Sequence, residues 1–216
     1  MDGVIFVDKP AHMTSFGVVA RVRRVLSEGE GAKVKVGHTG TLDPFATGLM
    51  ILVVGKATKR AVEYSKLDKV YEATIELGYN SSTGDPEGEM TKVGEVREIS
   101  RGEIEQVLGS FVGEITQVPP VFSAIKIGGE RAYKLARRGE EVKMPERCVT
   151  IYSIELLDLV LPFLKIRVHV SSGTYIRSLA EDIGKKLGVG AYVTELRRIK
   201  VGEYELGEVA LMSVPE

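Results

Sequence analysis

Cysteine is almost missing from this chain: Cys148 is the only one in 216 residues. That excludes an intramolecular disulfide and a cysteine-built metal cluster. The three histidines, His12, His38 and His169, are scattered, which argues against a zinc site. Net charge is nearly missing too, at -1 with 27% charged residues. Proteins that bind nucleic acid are often strongly basic, so a nucleic-acid site here must be a local patch. No apolar run approaches the length of a membrane span. The opening MDGVIFVDKP lacks the basic start and long apolar stretch of a secretory signal. There is no P-loop and no dinucleotide-binding fingerprint. A soluble, cytoplasmic, cofactor-free protein without a metal is expected. Its 44% hydrophobic content suffices for one large core or two small ones.

What the chain does have is concentrated in residues 37–48, GHTGTLDPFATG. Valines before it and the apolar run 49–54 after it read as strands, so the segment is a loop anchored in a sheet. Gly37, Gly40 and Gly48 permit backbone angles closed to other residues. Pro44 stiffens the chain just after Asp43 and disfavours helix at Asp43. One carboxylate is thereby aimed from a rigid loop. An isolated Asp-Pro usually only shapes a turn, but twelve residues of this composition are a far more specific signal.

Elsewhere the patterns are ordinary. Thr14 or Ser15 can cap a helix whose buried face is Phe16, Val19, Val22 and Leu26. Residues 57–65 are expected to be helical. Residues 69–78 alternate, placing Tyr71, Ala73, Ile75 and Leu77 on the apolar face. Gly84, Asp85, Pro86 and Gly88 form a turn cluster, assigned structure and not chemistry. Ser100 and Glu103 open a helix with a capping box. The double proline in QVPPVFSAIK, residues 117–126, suits an extended edge segment. Residues 126–147 hold seven Lys or Arg against four Glu, and Arg131, Lys134 and Arg138 form a stripe at helical spacing. This is the local basic patch that the global charge hides, although a charge run is often only a solvated face. Two strands follow, 148–161 and 163–171, with Lys165, Arg167 and His169 facing outward. Thr174 can cap a helix buried through Ile176, Leu179, Ala180, Ile183 and Leu187. Arg177 falls off that face in the first turn, where a cation opposes the helix dipole. An anionic partner is therefore expected for it. The final strands occupy 191–206.

GHTGTLDPxATG closely resembles the catalytic loop of the TruB family of tRNA pseudouridine synthases, in which this aspartate is the one catalytic carboxylate. Further similarity spans residues 3–215: an opening strand with Lys9-Pro10, Lys69-x-Tyr71-x-Ala73-x-x-x-Leu77-Gly78, the Thr83-Gly84-Asp85 turn, the VPP-x-x-SA-x-K segment, Gly173-Thr174-Tyr175-Ile176-Arg177, and Leu196-Arg197-Arg198. The resemblance implies an α+β pseudouridine synthase fold, with a central, mixed, mostly antiparallel sheet flanked by helices and loops. It implies a thumb-like RNA-binding insertion at about 126–147. It makes Asp43 the catalytic carboxylate, Tyr71 the ring that stacks on the target base, and Arg177 the partner of Asp43. His38, Thr41, Tyr175 and Leu196 are implied at the substrate, with Lys126, Arg131, Lys134 and Arg138 on RNA. Read without the resemblance, Tyr71 and Leu196 are core residues and His38 a hydrogen-bonded loop histidine.

The expected activity is isomerisation of uridine 55 in the TΨC loop of tRNA, on the T-arm stem-loop. A monomer needing no protein partner is expected, as a single catalytic domain over 1–216 without the PUA domain that many relatives carry. Alternatives are a subunit of a guide-RNA particle and a non-catalytic RNA-binding or tRNA-folding module. A glycosidase would need a second acid beside Asp43.

Overall fold

The computed structural model describes residues 1–215. In chain order the elements are β1 (Gly3–Lys9), α1 (Ser15–Glu30), β2 (Val36–His38) and β3 (Thr47–Val54). A 3-10 turn (Gly55–Arg60) leads into α2 (Ala61–Ser65), followed by β4 (Lys69–Leu77), β5 (Tyr79–Ser81), β6 (Met90–Lys92) and α3 (Arg101–Gly109). Next come β7 (Gly113–Gln117), β8 (Lys126–Ile127), β9 (Glu130–Arg131), α4 (Ala132–Arg137) and β10 (Arg147–Val160). The chain continues through β11 (Phe163–Val170), α5 (Ile176–Leu187), β12 (Ala191–Val201) and β13 (Tyr204–Glu205). The class is α+β with a mixed, mostly antiparallel sheet, as expected.

Two compact units divide the chain, Met1–Glu72 with the residues from Glu195 onward, and Ala73–Thr194. In the first, β3 is the organising strand. It pairs antiparallel with β1 from Gly48 to Val54 and with β2 at its end, and parallel with β12 at Thr47–Arg197 and Gly48–Arg198. Its residues 49–54 are at most 2% exposed. Such a continuous apolar run suits a strand covered on both faces, each large side chain contributing about 1.5–3 kcal/mol by burial.

Helix α1 is capped by Thr14, whose hydroxyl accepts from the Gly17 amide, and ends at Gly31 in the left-handed region. Its buried face is Ser15, Val18, Val19 and Val22. Phe16 was expected in that face and is instead 67% exposed. The cause is Ser15. Its hydroxyl both donates to the Leu42 carbonyl and accepts from the Leu42 amide, each at 2.8 Å. That pins Ser15 inward and turns its neighbour to solvent.

In the second unit the strand order is β4–β11–β10–β7, with β5–β6 and β8–β9 as separate hairpins. The alternation of β4 continues into this unit, with Ala73, Ile75 and Leu77 buried. On β11, Leu164, Ile166, Val168 and Val170 point into the core. The Ser100 hydroxyl accepts from the Glu103 amide, as the capping box predicts, and Ile104 and Leu108 anchor α3 inward.

The register of β12 against β3 depends on Gly48. Its φ is 108°, and a Cβ there would lie 2.2 Å from the Arg198 carbonyl oxygen. Gly48→Ala therefore combines backbone strain with a backbone clash, and a loss of about 3 kcal/mol or more is expected. Chemical denaturation checks this, and a wild-type midpoint would show that the strands separate freely.

Candidate active site

The loop 37–48 is held from several directions within the first unit. Lys9, with no exposed surface, donates its ammonium to the carbonyls of Pro10 at 2.8 Å, Met13 at 2.6 Å and Pro44 at 3.0 Å. Those bonds employ all three ammonium protons and tie the end of β1 to the residue after Asp43. Ser15 clamps Leu42, the residue before it, through both backbone groups. The Ala46 amide returns to the Asp43 carbonyl at 3.2 Å, closing a turn. Arg198, 2% exposed, donates Nε to the Leu49 carbonyl at 2.7 Å and Nη2 to the Gly40 carbonyl at 3.3 Å. Its neighbour Arg197 forks onto Asp8 at 3.1 and 2.6 Å and reaches the Thr47 hydroxyl at 3.3 Å. The two arginines of the Leu-Arg-Arg motif thus brace the loop's two ends. Asp43 is half-buried between two pinned residues, and Thr41 is exposed.

Of the other expected residues in this unit, His38 is half-buried on β2, while Tyr71 and Leu196 are buried on β4 and β12. Lys69, two residues before Tyr71, is only 7% exposed, and its ammonium donates to the carbonyls of Ser65 and Leu67. Burial, and secondarily the charge of Arg198, lowers its pKa to about 8.

In the second unit, Arg177 corrects one expectation. It lies in the buried face of α5, at 3% exposure, and not off it. Its charge is matched by Asp85, with Nη1 3.0 Å from Oδ2 and only 3% and 5% of the two side chains exposed. Nη1 also donates to the Thr83 carbonyl at 2.8 Å, and Nη2 to the Phe122 carbonyl at 3.0 Å. Asp85 is itself oriented by the Thr83 hydroxyl at 2.5 Å and the Glu87 amide at 3.1 Å. The turn assigned structure alone is therefore what supplies Arg177 with a carboxylate. The signal lay in the sequence, as a charged residue inside a glycine turn, but nothing local linked it to a residue 92 positions away.

Thr174 does not cap α5. Its hydroxyl donates to the Ser171 carbonyl at 2.9 Å, and Tyr175 is the N-cap residue, its side chain making no cap bond to the helix. The helix start is held instead by the amide of Gln117, which accepts from the Tyr175 amide at 2.8 Å and donates to the Tyr175 carbonyl at 3.0 Å. Tyr175 is half-buried there.

The basic segment is a short hairpin and a short helix, with Arg131 and Arg138 at the two ends of α4. Lys126, Arg131 and Lys134 are exposed. Arg131 donates to the Ala124 carbonyl at 2.7 Å. Arg138 is engaged by Glu130 at 2.7 and 2.9 Å and by Glu140 at 2.6 Å. These bonds raise its already high pKa and offset its charge. The exposed cations of the segment apart from these glutamate contacts include Lys126, Arg131 and Lys134.

Among the described residues no group of three or more His, Cys, Asp or Glu could hold a metal ion, and no helix is long and apolar enough to cross a membrane.

Comparison with known proteins finds a match to the family model of the TruB family pseudouridylate synthase N-terminal domain over residues 23–176, and to the tRNA pseudouridylate synthase B C-terminal domain over 177–215. The chain belongs to the TruB family. Among relatives, tRNA pseudouridine synthase B of Parabacteroides distasonis is 48% identical over 204 residues, covering 94% of this chain and 87% of that protein. The protein of the same name from Phocaeicola vulgatus is 47% identical, covering 99% and 92%. Among solved structures, a chain of a Cbf5-Nop10-Gar1 complex superposes with a TM-score of 0.75 at 33% identity, covering 98% of this chain. This chain spans about half, 52%, of that longer one.

Two outcomes test this TruB-family geometry. Asp85→Asn leaves a buried guanidinium without its carboxylate, so a loss of about 3–5 kcal/mol is expected in denaturation experiments. Lys69 gives a pH signature. Between about pH 8 and pH 10.5 the folded chain has released this proton while the unfolded chain keeps it. Stability therefore rises with pH across that window relative to Lys69→Met, by roughly 3 kcal/mol. Parallel stability curves for the two proteins would remove the effect.

Proposed function

We propose that the chain isomerises uridine to pseudouridine in tRNA, at position 55 of the T loop. The observation that carries the reading is Asp43, the only carboxylate in a loop fixed on both sides of it by Ser15 and Lys9. The relatives matched over nearly the whole chain bear the name tRNA pseudouridine synthase B, and this favours tRNA over a guide-RNA particle.

The reaction breaks the bond from N1 of uracil to C1′, turns the base, and joins C5 to C1′. The C5 proton leaves and N1 gains one, so atoms and electrons balance without a redox partner. A carboxylate serves this as nucleophile or base. Arg177 is assigned to Asp43 as the cation that favours its ionised form, with Asp85 holding the guanidinium in place. Tyr71 is assigned to stack on the uracil, beside Leu196, His38 and Thr41. The target must leave its stack to reach a half-buried acid, at a cost of a few kcal/mol. Lys126, Arg131, Lys134 and Arg138 are assigned to phosphates, which set affinity and its salt dependence. Tyr175 is assigned to the RNA at the start of α5.

The test is single-turnover assay of unmodified tRNA and of an isolated T-arm stem-loop at one salt concentration. Pseudouridine at position 55 is expected in both. Asp43→Asn is expected to lower the rate by at least about 10³-fold while RNA still binds. Product at another uridine would overturn the substrate assignment, and multiple turnover by the variant would overturn the role of Asp43.

A further inference from the structure

The β10–β11 pair carries an aromatic feature for which the isomerisation has no use. Ile151 is opposite Val170 and Ser153 is opposite His169, so Tyr152 is the extra residue of a β-bulge. Bulges re-aim side chains. Here Tyr152 and Ser153 are both exposed in succession, which regular alternation forbids. The Tyr152 side chain is left 50% exposed, with its ring 4.7 Å from the His169 ring at 45°.

The surroundings choose the partner. Lys165, Arg167 and His169 share one face of β11. Arg167 lies 3.4 Å from Glu155, and Asp158 stands opposite Lys165. The exposed apolar residues of this hairpin, Val160 and Phe163, are at its far end. The ring pair therefore shares a strand face with two cations and lies beside Ser153, unlike the apolar centre of a protein interface. It is also continuous with the proposed RNA surface. The basic segment returns into β10 at Arg147, and β11 runs out through Ser171 toward Arg177. Thr150 and Ser171 lock that junction with two bonds of 2.8 Å.

We infer that the Tyr152–His169 pair is a stacking platform for one unpaired base of the RNA, a nucleotide other than the one that reacts. Aromatic faces with adjacent cations hold single-stranded bases in a way that tolerates sequence. The inference rests on the RNA-modifying reading and adds a subsite to it.

The experiment measures affinity and steady-state kinetics of the full chain on a T-arm stem-loop. Tyr152→Ala is expected to weaken binding about tenfold and to raise KM by a similar factor while kcat holds. Tyr152→Phe keeps the ring and should bind as wild type. The salt slope of binding should not change, because no phosphate contact is lost. In the unaltered protein, 5-iodouridine placed along the RNA loop should photo-crosslink to Tyr152 from one position. Wild-type affinity in Tyr152→Ala would overturn the platform, as would equal losses in the Phe and Ala variants. Inability of the wild-type chain to bind or modify the RNA would instead overturn the functional reading, and the wild type alone reveals it.

Discussion

Buried cations bonded to main-chain carbonyls hold the loop 37–48 in place. Lys9 and Arg198 carry full charges at positions with almost no solvent, where an unsatisfied ion is very costly. Each is surrounded by carbonyl oxygens, and those oxygens belong to the segment that must not move. Such bonds are charge-assisted and stronger than neutral ones. The energy that keeps the cations buried is therefore the same energy that fixes the path from Gly40 to Leu49. Asp43 itself contributes little to this scaffold through its backbone, which closes a single turn. The residues on either side of it, Leu42 and Pro44, are the ones held by side chains.

The second unit solves the same problem with a carboxylate added. Arg177 has two carbonyls, like Arg198, but also Asp85. Replacing Arg177 by Lys would keep the charge and lose the fork that reaches Asp85 and Thr83 from one nitrogen and Phe122 from the other. The three acceptors come from the 83–85 turn and from the segment following the double proline. A single side chain on α5 thereby organises two loops that share no sequence pattern.

Much of this was legible in the sequence, and the reasons are local. The alternation of 69–78, the continuous run 49–54 and the capping box at Ser100 each encode their element within a few residues, and each element forms. The loop 37–48 was legible as stiff because glycine and proline act on their own backbone. Three misses involve partners far along the chain. Phe16 lost the inward position to Ser15 because of a bond to Leu42. Thr174 lost the cap to Gln117, whose amide approaches from another strand. Arg177 was legible as needing an anion but not as buried, since a charge is excluded from a predicted core face until its counter-charge is known. The stripe of Arg131, Lys134 and Arg138 was legible as charge, whereas the glutamates that engage Arg138 became visible only once α4 proved to end at Arg137.

Gln117 sets a mechanical relation between parts of the second unit. It is the last residue of β7, and the chain leaves it directly for the proline pair and the basic segment. Its amide also grips Tyr175 from both sides, and one turn into α5 the Ser178 hydroxyl donates to the Val118 carbonyl at 2.8 Å. The root of the basic arm and the first turn of the Arg177 helix are thus fastened at adjacent points, like a lever pinned beside its fulcrum. A shift at the root of the arm must therefore break these bonds or carry the start of α5 with it.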